Sequence, residues 1–190
     1  MKSFEVQPLT ADRWNDFERL FGDRGACAGC WCMFWKLPRK EFNAGKYDAN
    51  RKAQKKIVEG GQVPGLIAYH NGYSVGWCAI EPRSHYSRLA NSRILAPLDD
   101  TPVWSVTCFF VEKSYRRQGV TVALLRAAVE YVDTQGGEVV EGYPTEPGEG
   151  AQATPTFVYT GLASALLEAG FHESGRRSPT RPIMRHFIKG

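Results

Sequence analysis

A mixed α/β (α+β) fold, with a mostly antiparallel central sheet flanked by helices, is predicted by three features of the sequence. Strand-like and helix-like stretches alternate along all 190 residues. An Asn71-Gly72 turn joins two apolar runs, which makes those runs antiparallel neighbours. A β-branched and aromatic run at 103–111 leads through a basic turn into a long amphipathic helix. The regular alternation favours one domain over residues 1–190, a length that suits a single core.

The elements follow in order. Residues 4–7 alternate apolar and polar, as a short strand does. Thr10 is positioned as an N-cap, and Trp14, Phe17, Leu20 and Phe21 then share one helical face, stopped by Gly22 and Gly25. An apolar, sulfur-rich stretch comes next, Cys27-Ala28-Gly29-Cys30-Trp31-Cys32-Met33-Phe34-Trp35. Residues 36–56 then hold eight basic and two acidic side chains, a local balance of +6. Within them Ala49, Ala53 and Ile57 trace a narrow apolar stripe on a surface helix, with Asp48 as its cap and Gly60-Gly61 as its stop.

The hairpin strands at 66–69 and 74–80 flank the Asn-Gly turn, whose residues tolerate positive φ. A loop at 82–102 carries Arg83, His85, Tyr86 and Arg88. The run at 103–111 reads as a central strand covered on both faces. The helix at 120–134 presents Val120, Leu124, Ala128 and Tyr131 in one row, ends at Gly136-Gly137, and precedes a strand at 138–143. The loop at 144–155 holds Glu146 and Glu149 with no basic residue, and mobility is expected there. A helix closing on Ala169-Gly170-Phe171 and strands at about 171–174 and 182–188 complete the chain.

Composition narrows the function classes. Apolar residues at 43% and charged ones at 23% exclude a wholly disordered chain. The net charge, 24 − 20 = +4, is too small to indicate nucleic acid, and the basic tail at 174–189, with Arg181 and Arg185 in a strand pattern, reads as ordinary surface. No apolar run approaches the ~20 residues of a membrane helix. Residues 1–5 lack the apolar core of a secretory signal, and five cysteines are an odd, sparse set. Cytoplasmic location with reduced thiols is the expectation.

The motif that carries chemistry is Arg116-Arg117-Gln118-Gly119-Val120-Thr121, set between the central strand and the long helix. A helix's first turn offers unpartnered N–H groups and positive potential, glycine lets a phosphate approach, and the arginines supply charge. The turn, the strand before it and the order of elements resemble the GNAT acyltransferase superfamily. Its signature is Gln/Arg-x-x-Gly-x-Gly/Ala. Arg116 and Gly119 match it, and Thr121 stands where Gly or Ala is usual. The resemblance implies acetyl-coenzyme A as co-substrate and acetyl transfer to a primary amine; no metal is expected. It implies that the fourth and fifth strands splay and that the pantetheine arm inserts between them as if it were a strand. Backbone at Phe109, Phe110 and Val111 would hold pantetheine. Arg116 and the turn from Arg117 through Gln118, Gly119 and Val120 to Thr121 would hold the pyrophosphate.

The family's proton-donating Tyr falls at Leu166 here, with Tyr159 seven residues upstream, and its strand-borne Glu falls near Ser105. A water relayed through Ser105 or Thr107 is one substitute for the base. Glu141 and Tyr143 share a strand face by period two, and Glu141 is the first choice as base. Its alternatives are an edge-facing carboxylate and one paired with an arginine.

Cys27, Cys30 and Cys32 form C-x-x-C-x-C, which lacks the second pair of a structural zinc site, while Cys78 and Cys108 read as buried strand residues. In the resembled fold this stretch overhangs the acceptor site, so Trp31, Phe34 and Trp35 are candidate walls of an aromatic pocket, with core packing as the alternative. His85 is a further candidate at that site. Gly148-x-Gly150-x-x-Ala153 imitates a dinucleotide fingerprint without a long helix behind it. Two rivals to the transferase reading are a coenzyme A-binding sensor module without transfer activity and a metal-stabilised interaction domain. The expected acceptor is a small-molecule or peptide amine, and a homodimer through the last strands is compatible with the fold.

Overall fold

The computed structural model describes residues 3–146 and 159–188. Among the described residues the sheet has seven strands: β1 (Glu5–Pro8), β2 (Gly65–His70), β3 (Tyr73–Pro82), β4 (Trp104–Val111), β5 (Val139–Gly142), β6 (His172–Arg176) and β7 (Pro182–Phe187). Their spatial order is β1-β2-β3-β4-β5-β7-β6. All neighbours are antiparallel except β4 and β5. The helices are α1 (Trp14–Phe21), α2 (Arg39–Ala44), α3 (Asp48–Glu59), α4 (Ser87–Ala90), α5 (Val120–Thr134) and α6 (Ala163–Glu168). No described helix is long and apolar enough to cross a membrane.

The sheet separates two apolar layers. On one face α5 and α6 set Val120, Leu124, Leu125, Ala128, Val132 and Leu166 against Ala68, Cys78, Val106 and Met184. On the other, α1 places Trp14, Phe17, Leu20 and Phe21 against Ile67 and Trp77, with Trp31 and Cys32 from the sulfur-rich stretch. The hairpin turn forms as its sequence demands, with φ of 50° at Asn71 and 78° at Gly72.

Gly76 fixes how closely α5 approaches. A Cβ built there would lie 2.5 Å from Val120 Cγ1 and 3.3 Å from Leu124 Cδ1. Gly76→Val is therefore expected to push the first turn of α5 off β3 and cost about 1–3 kcal/mol, measurable by urea denaturation.

Three local expectations give way to tertiary structure. The Thr10 hydroxyl caps no backbone group. It donates to Asp12 Oδ1 at 2.5 Å and accepts from Arg13 at 2.7 Å, and a short 3₁₀ turn at Ala11–Arg13 precedes α1. The basic run at 36–56 holds two helices rather than one. In α3 the inward row is Asn50, Gln54 and Val58, one position round from Ala49, Ala53 and Ile57. Asn50 goes inward there because its amide donates to the carbonyls of Gly29 (3.1 Å) and Phe42 (3.3 Å). Asp48 lies inside the first turn and pairs with Lys52 at 2.6 Å instead of capping. Arg185, expected on the surface, is buried in β7.

Candidate functional site

The parallel pair β4/β5 is short. Trp104, Ser105 and Val106 face Val140, Glu141 and Gly142, and no pairing follows. Beyond Val106 the strands part, and the chain's own segment at 159–162 enters the gap. The Phe109 N–H donates to the Tyr159 carbonyl at 2.5 Å, and the Thr145 N–H donates to the Gly161 carbonyl at 2.9 Å. Val111, two residues on, turns its backbone to the same side as Phe109. Its carbonyl accepts from Arg116 Nε at 3.2 Å.

At the end of β4 the chain passes through a 3₁₀ turn at Lys113–Tyr115 into the basic turn. Arg117 has φ 60° and Gly119 φ 87°, so the backbone curls and opens the N-terminus of α5 to solvent. A Cβ at Gly119 would meet nothing within 4 Å, which leaves the space above the first helical amides open. Arg116 and Arg117 are both exposed beside it. Open amides, positive helix potential and two guanidinium groups fit a diphosphate.

This turn is one end of a groove of about 1050 Å³. Its walls include Phe109, Phe110 and Val111 of β4, Arg116, Arg117, Gly119, Val120 and Thr121 of the turn, and Tyr159 with Gly161 of the inserted segment. The other end is lined by Cys27, Cys30 and Cys32 with Phe34, Trp35 and Phe42. Of the turn residues expected to meet a cofactor, Gln118 is absent from the lining, and its amide donates back to the Ser114 carbonyl at 2.5 Å.

The aromatic candidates divide. Phe34 and Trp35 line the groove, held by Arg88, whose guanidinium sits 3.9 Å from the Phe34 ring and donates to the Phe34 carbonyl at 3.1 Å. Trp31 does not. It is 4% exposed and stacks on Phe21 (5.6 Å) and Trp14 (6.4 Å), so apolar burial claims it for the core. His85 also stands apart, 3.1 Å from the buried Glu81, which in turn pairs with Lys36. Cys108, expected in the core, is half-buried and borders the groove.

The structure brings Ser105, Glu141 and Tyr143 together, but not onto the groove, which none of them lines. The Tyr143 hydroxyl donates to Glu141 Oε1 at 2.7 Å and lies 2.8 Å from Ser105 Oγ. Glu141 is 1% exposed and held from both sides, by Arg185 Nε at 2.7 Å and by Arg83 at 3.2 Å. Arg185 continues to Asp99 at 2.6 and 3.1 Å. A carboxylate buried here and clamped by two guanidinium groups has no path to a substrate proton. The geometry thus matches the arginine-paired alternative for Glu141. Burial first, then the Glu141 charge, raises the Tyr143 phenol far above its ordinary range, so it acts there as a hydrogen-bond donor.

Tyr159 does reach the groove. Its ring meets Phe34 edge-on at 5.8 Å. Burial raises its pKa, opposed by Arg181. The sequence offered only its distance from Leu166 on a helix. The structure instead brings it in through the backbone bond to Phe109. Leu166 is fully buried in the core. Among the described residues no group of three or more His, Cys, Asp or Glu could hold a metal ion. The dinucleotide-like Gly148-Gly150-Ala153 pattern and most of the loop at 144–155 lie outside the described residues.

Solved structures of acetyltransferases share this fold. An acetyltransferase from Listeria monocytogenes superposes with a TM-score of 0.58 at 11% identity, covering 98% of this chain and 95% of that one. PaiA N-acetyltransferase from Thermoplasma acidophilum, in complex with coenzyme A, gives 0.53 at 12% identity over 97% and 99%. Aminoglycoside N-acetyltransferase AAC(6')-Iy, in complex with CoA, gives 0.56 at 16% identity over 94% and 93%. No curated protein matches the sequence. The acetyltransferase (GNAT) family matches residues 30–154, well over half the chain, and the chain belongs to this family.

Proposed function

We propose that this protein is an acetyl-coenzyme A-dependent N-acetyltransferase that moves an acetyl group to a primary amine, working in the cytoplasm. The observation that carries the reading is one continuous groove, from the Arg117–Gly119 turn past the parted edge of β4 to Phe34, Trp35 and Tyr159. Acetyl-coenzyme A, as co-substrate, supplies an activated thioester that an uncharged amine attacks directly. The amides from Arg117 to Thr121 and the charges of Arg116 and Arg117 would hold the diphosphate. The backbone of β4 at Val111 would orient the pantetheine arm, the Phe109 N–H being held by the Tyr159 carbonyl. Phe34 and Trp35 would receive the acceptor, their ring faces suiting a small or peptide amine with cationic character. Tyr159, kept protonated by burial, would supply the proton that the leaving thiolate needs. Ser105, Glu141 and Tyr143 would brace β4 and β5 beneath the gap.

Calorimetry with acetyl-coenzyme A on the wild type and on Arg117→Glu tests the binding half. Losing and reversing one charged contact is expected to weaken binding at least about tenfold. Release of free thiol across a panel of primary amines tests the transfer half. Binding without thiol release would mark the sensor reading, and no binding would end both.

A further inference from the structure

Two thiols from distant parts of the chain touch on the groove wall. Cys32 Sγ lies 3.4 Å from Cys108 Sγ, 76 residues away in sequence. The pair is part of a run of donated hydrogen bonds. Trp77 Nε1 donates to Cys32 Sγ at 2.9 Å, Cys32 Sγ donates to Cys108 Sγ, and Cys108 Sγ reaches the Phe109 carbonyl at 3.9 Å. The remaining thiols are held differently. Cys30, also beside Cys32, donates to the Gly25 carbonyl at 3.5 Å. Cys78 is buried and reaches the Ala79 carbonyl at 3.9 Å, and Cys27 is exposed.

The backbone fixes both members of the pair. Cys32 has φ 53°, and Ala26, Ala28 and Trp31 before it also take positive φ. Such conformations persist only where the surroundings impose them. Here the Asn50 amide and the Tyr47 N–H hold the Gly29 carbonyl, while Trp31 and Met33 on either side of Cys32 are buried. On β4 the register with β3 skips Thr107, since Ala79 faces Cys108 and Ile80 faces Val106. A bulge of this kind re-aims the side chains next to it. Both sulfurs line the groove, Cys32 two residues before Phe34 and Cys108 directly before Phe109. The pair therefore spans the wall between the aromatic end and the parted edge of β4.

We infer that Cys32 and Cys108 form a redox-responsive modification site, which a peroxide entering the groove oxidises to an intramolecular disulfide that clamps the loop onto β4. Cys108 is half-buried and Cys32 only 6% exposed, so Cys108 meets the oxidant first. Its sulfur bonds to one peroxide oxygen, the O–O bond breaks, and the leaving hydroxide takes the thiol proton and departs as water. The Cys32 sulfur then attacks the resulting sulfenic sulfur. The S–O bond breaks, and that hydroxide leaves with the Cys32 proton as a second water. The two sulfurs lose two electrons and the peroxide gains them. Forming the bond requires the sulfurs to approach by about 1.4 Å, a movement of side-chain scale. The Cys32 sulfur still accepts from Trp77 afterwards. Two equivalents of a small thiol reverse the step and leave as their own disulfide, so the bond is transient in a reducing compartment. The inference does not depend on which molecule the groove binds.

The test treats the full, reduced chain with a small excess of hydrogen peroxide, quenches it in acid, unfolds it and caps free thiols with N-ethylmaleimide. Intact mass is expected to show a single chain two hydrogens lighter and capped at two fewer sites, with the peptides of Cys32 and Cys108 joined. Dithiothreitol before capping should restore all five caps. Cys108→Ser should abolish the link and Cys30→Ser keep it. On the wild-type chain, which keeps the test decisive if a variant folds poorly, oxidation should raise the melting temperature by about 5–10 °C, reversed by dithiothreitol, because the bond closes a long loop. A bond between Cys30 and Cys32, peroxide adducts without a link, or an oxidised chain that melts no higher than the reduced one overturns the inference.

Discussion

Glu141→Ala is expected to lower the melting temperature by on the order of 10 °C while leaving the residual folded enzyme within a few-fold of wild-type turnover. Removing this carboxylate takes the buried anionic partner from two arginines, since Arg83 and Arg185 both bond it, and leaves the 4%-exposed Arg185 with Asp99 alone as its ion-pair partner. Deleting one partner of a buried ion pair typically costs about 3–5 kcal/mol, because the remaining charge stays desolvated. The Tyr143 hydroxyl loses its acceptor as well. Glu141→Gln keeps an acceptor for Tyr143 and is expected to fall between. The experiment pairs thermal melts with kinetics measured well below the transition. A catalytic base would behave oppositely, with a near-native melt and a rate loss of about 10²–10⁴-fold.

Tyr159→Phe is expected to lower kcat about 10²-fold with the KM for acetyl-coenzyme A nearly unchanged. The hydroxyl is removed, but the backbone carbonyl that bonds Phe109 stays, as does the ring against Phe34. The split between kcat and KM separates proton donation from mere support of the groove, which would move both. The pH dependence has a defined sign. Because burial raises the phenol's pKa, Tyr159 remains a proton donor through neutral and mildly alkaline pH, and its contribution fades only as pH rises through that elevated value. Wild type and Tyr159→Phe should therefore differ most below that limb and converge above it. A profile parallel to wild type throughout would remove Tyr159 from the proton path.

What the sequence discloses depends on how local the cause is. The basic turn, the Asn71-Gly72 hairpin and the face of α1 were legible because each rests on neighbours within a few residues. The row of α3 was not. Its inward residues are set by carbonyls at Gly29 and Phe42, so an apolar stripe pointed one position away from the truth. Glu141 and Arg185 lie 44 residues apart, and only the β5–β7 pairing joins them. Cys32 and Cys108 are 76 apart, which is why a motif confined to the first three cysteines suggested a failed zinc site rather than a groove lined with thiols. Tyr159 was visible as a residue type, but its route to the groove is a backbone hydrogen bond, for which a sequence carries no signal.

The segment that fills the gap between β4 and β5 also guards the sheet's inner edges. Two strands that part inside a sheet would otherwise present raw inner edges, rows of N–H and C=O groups ready to recruit a strand from another molecule. Tyr159 and Gly161 occupy partners on both margins, at Phe109 and at Thr145, so the sheet carries its opening without a sticky seam. The same few residues that border the groove thereby keep its margins from recruiting a foreign strand, and loosening them should show first as self-association.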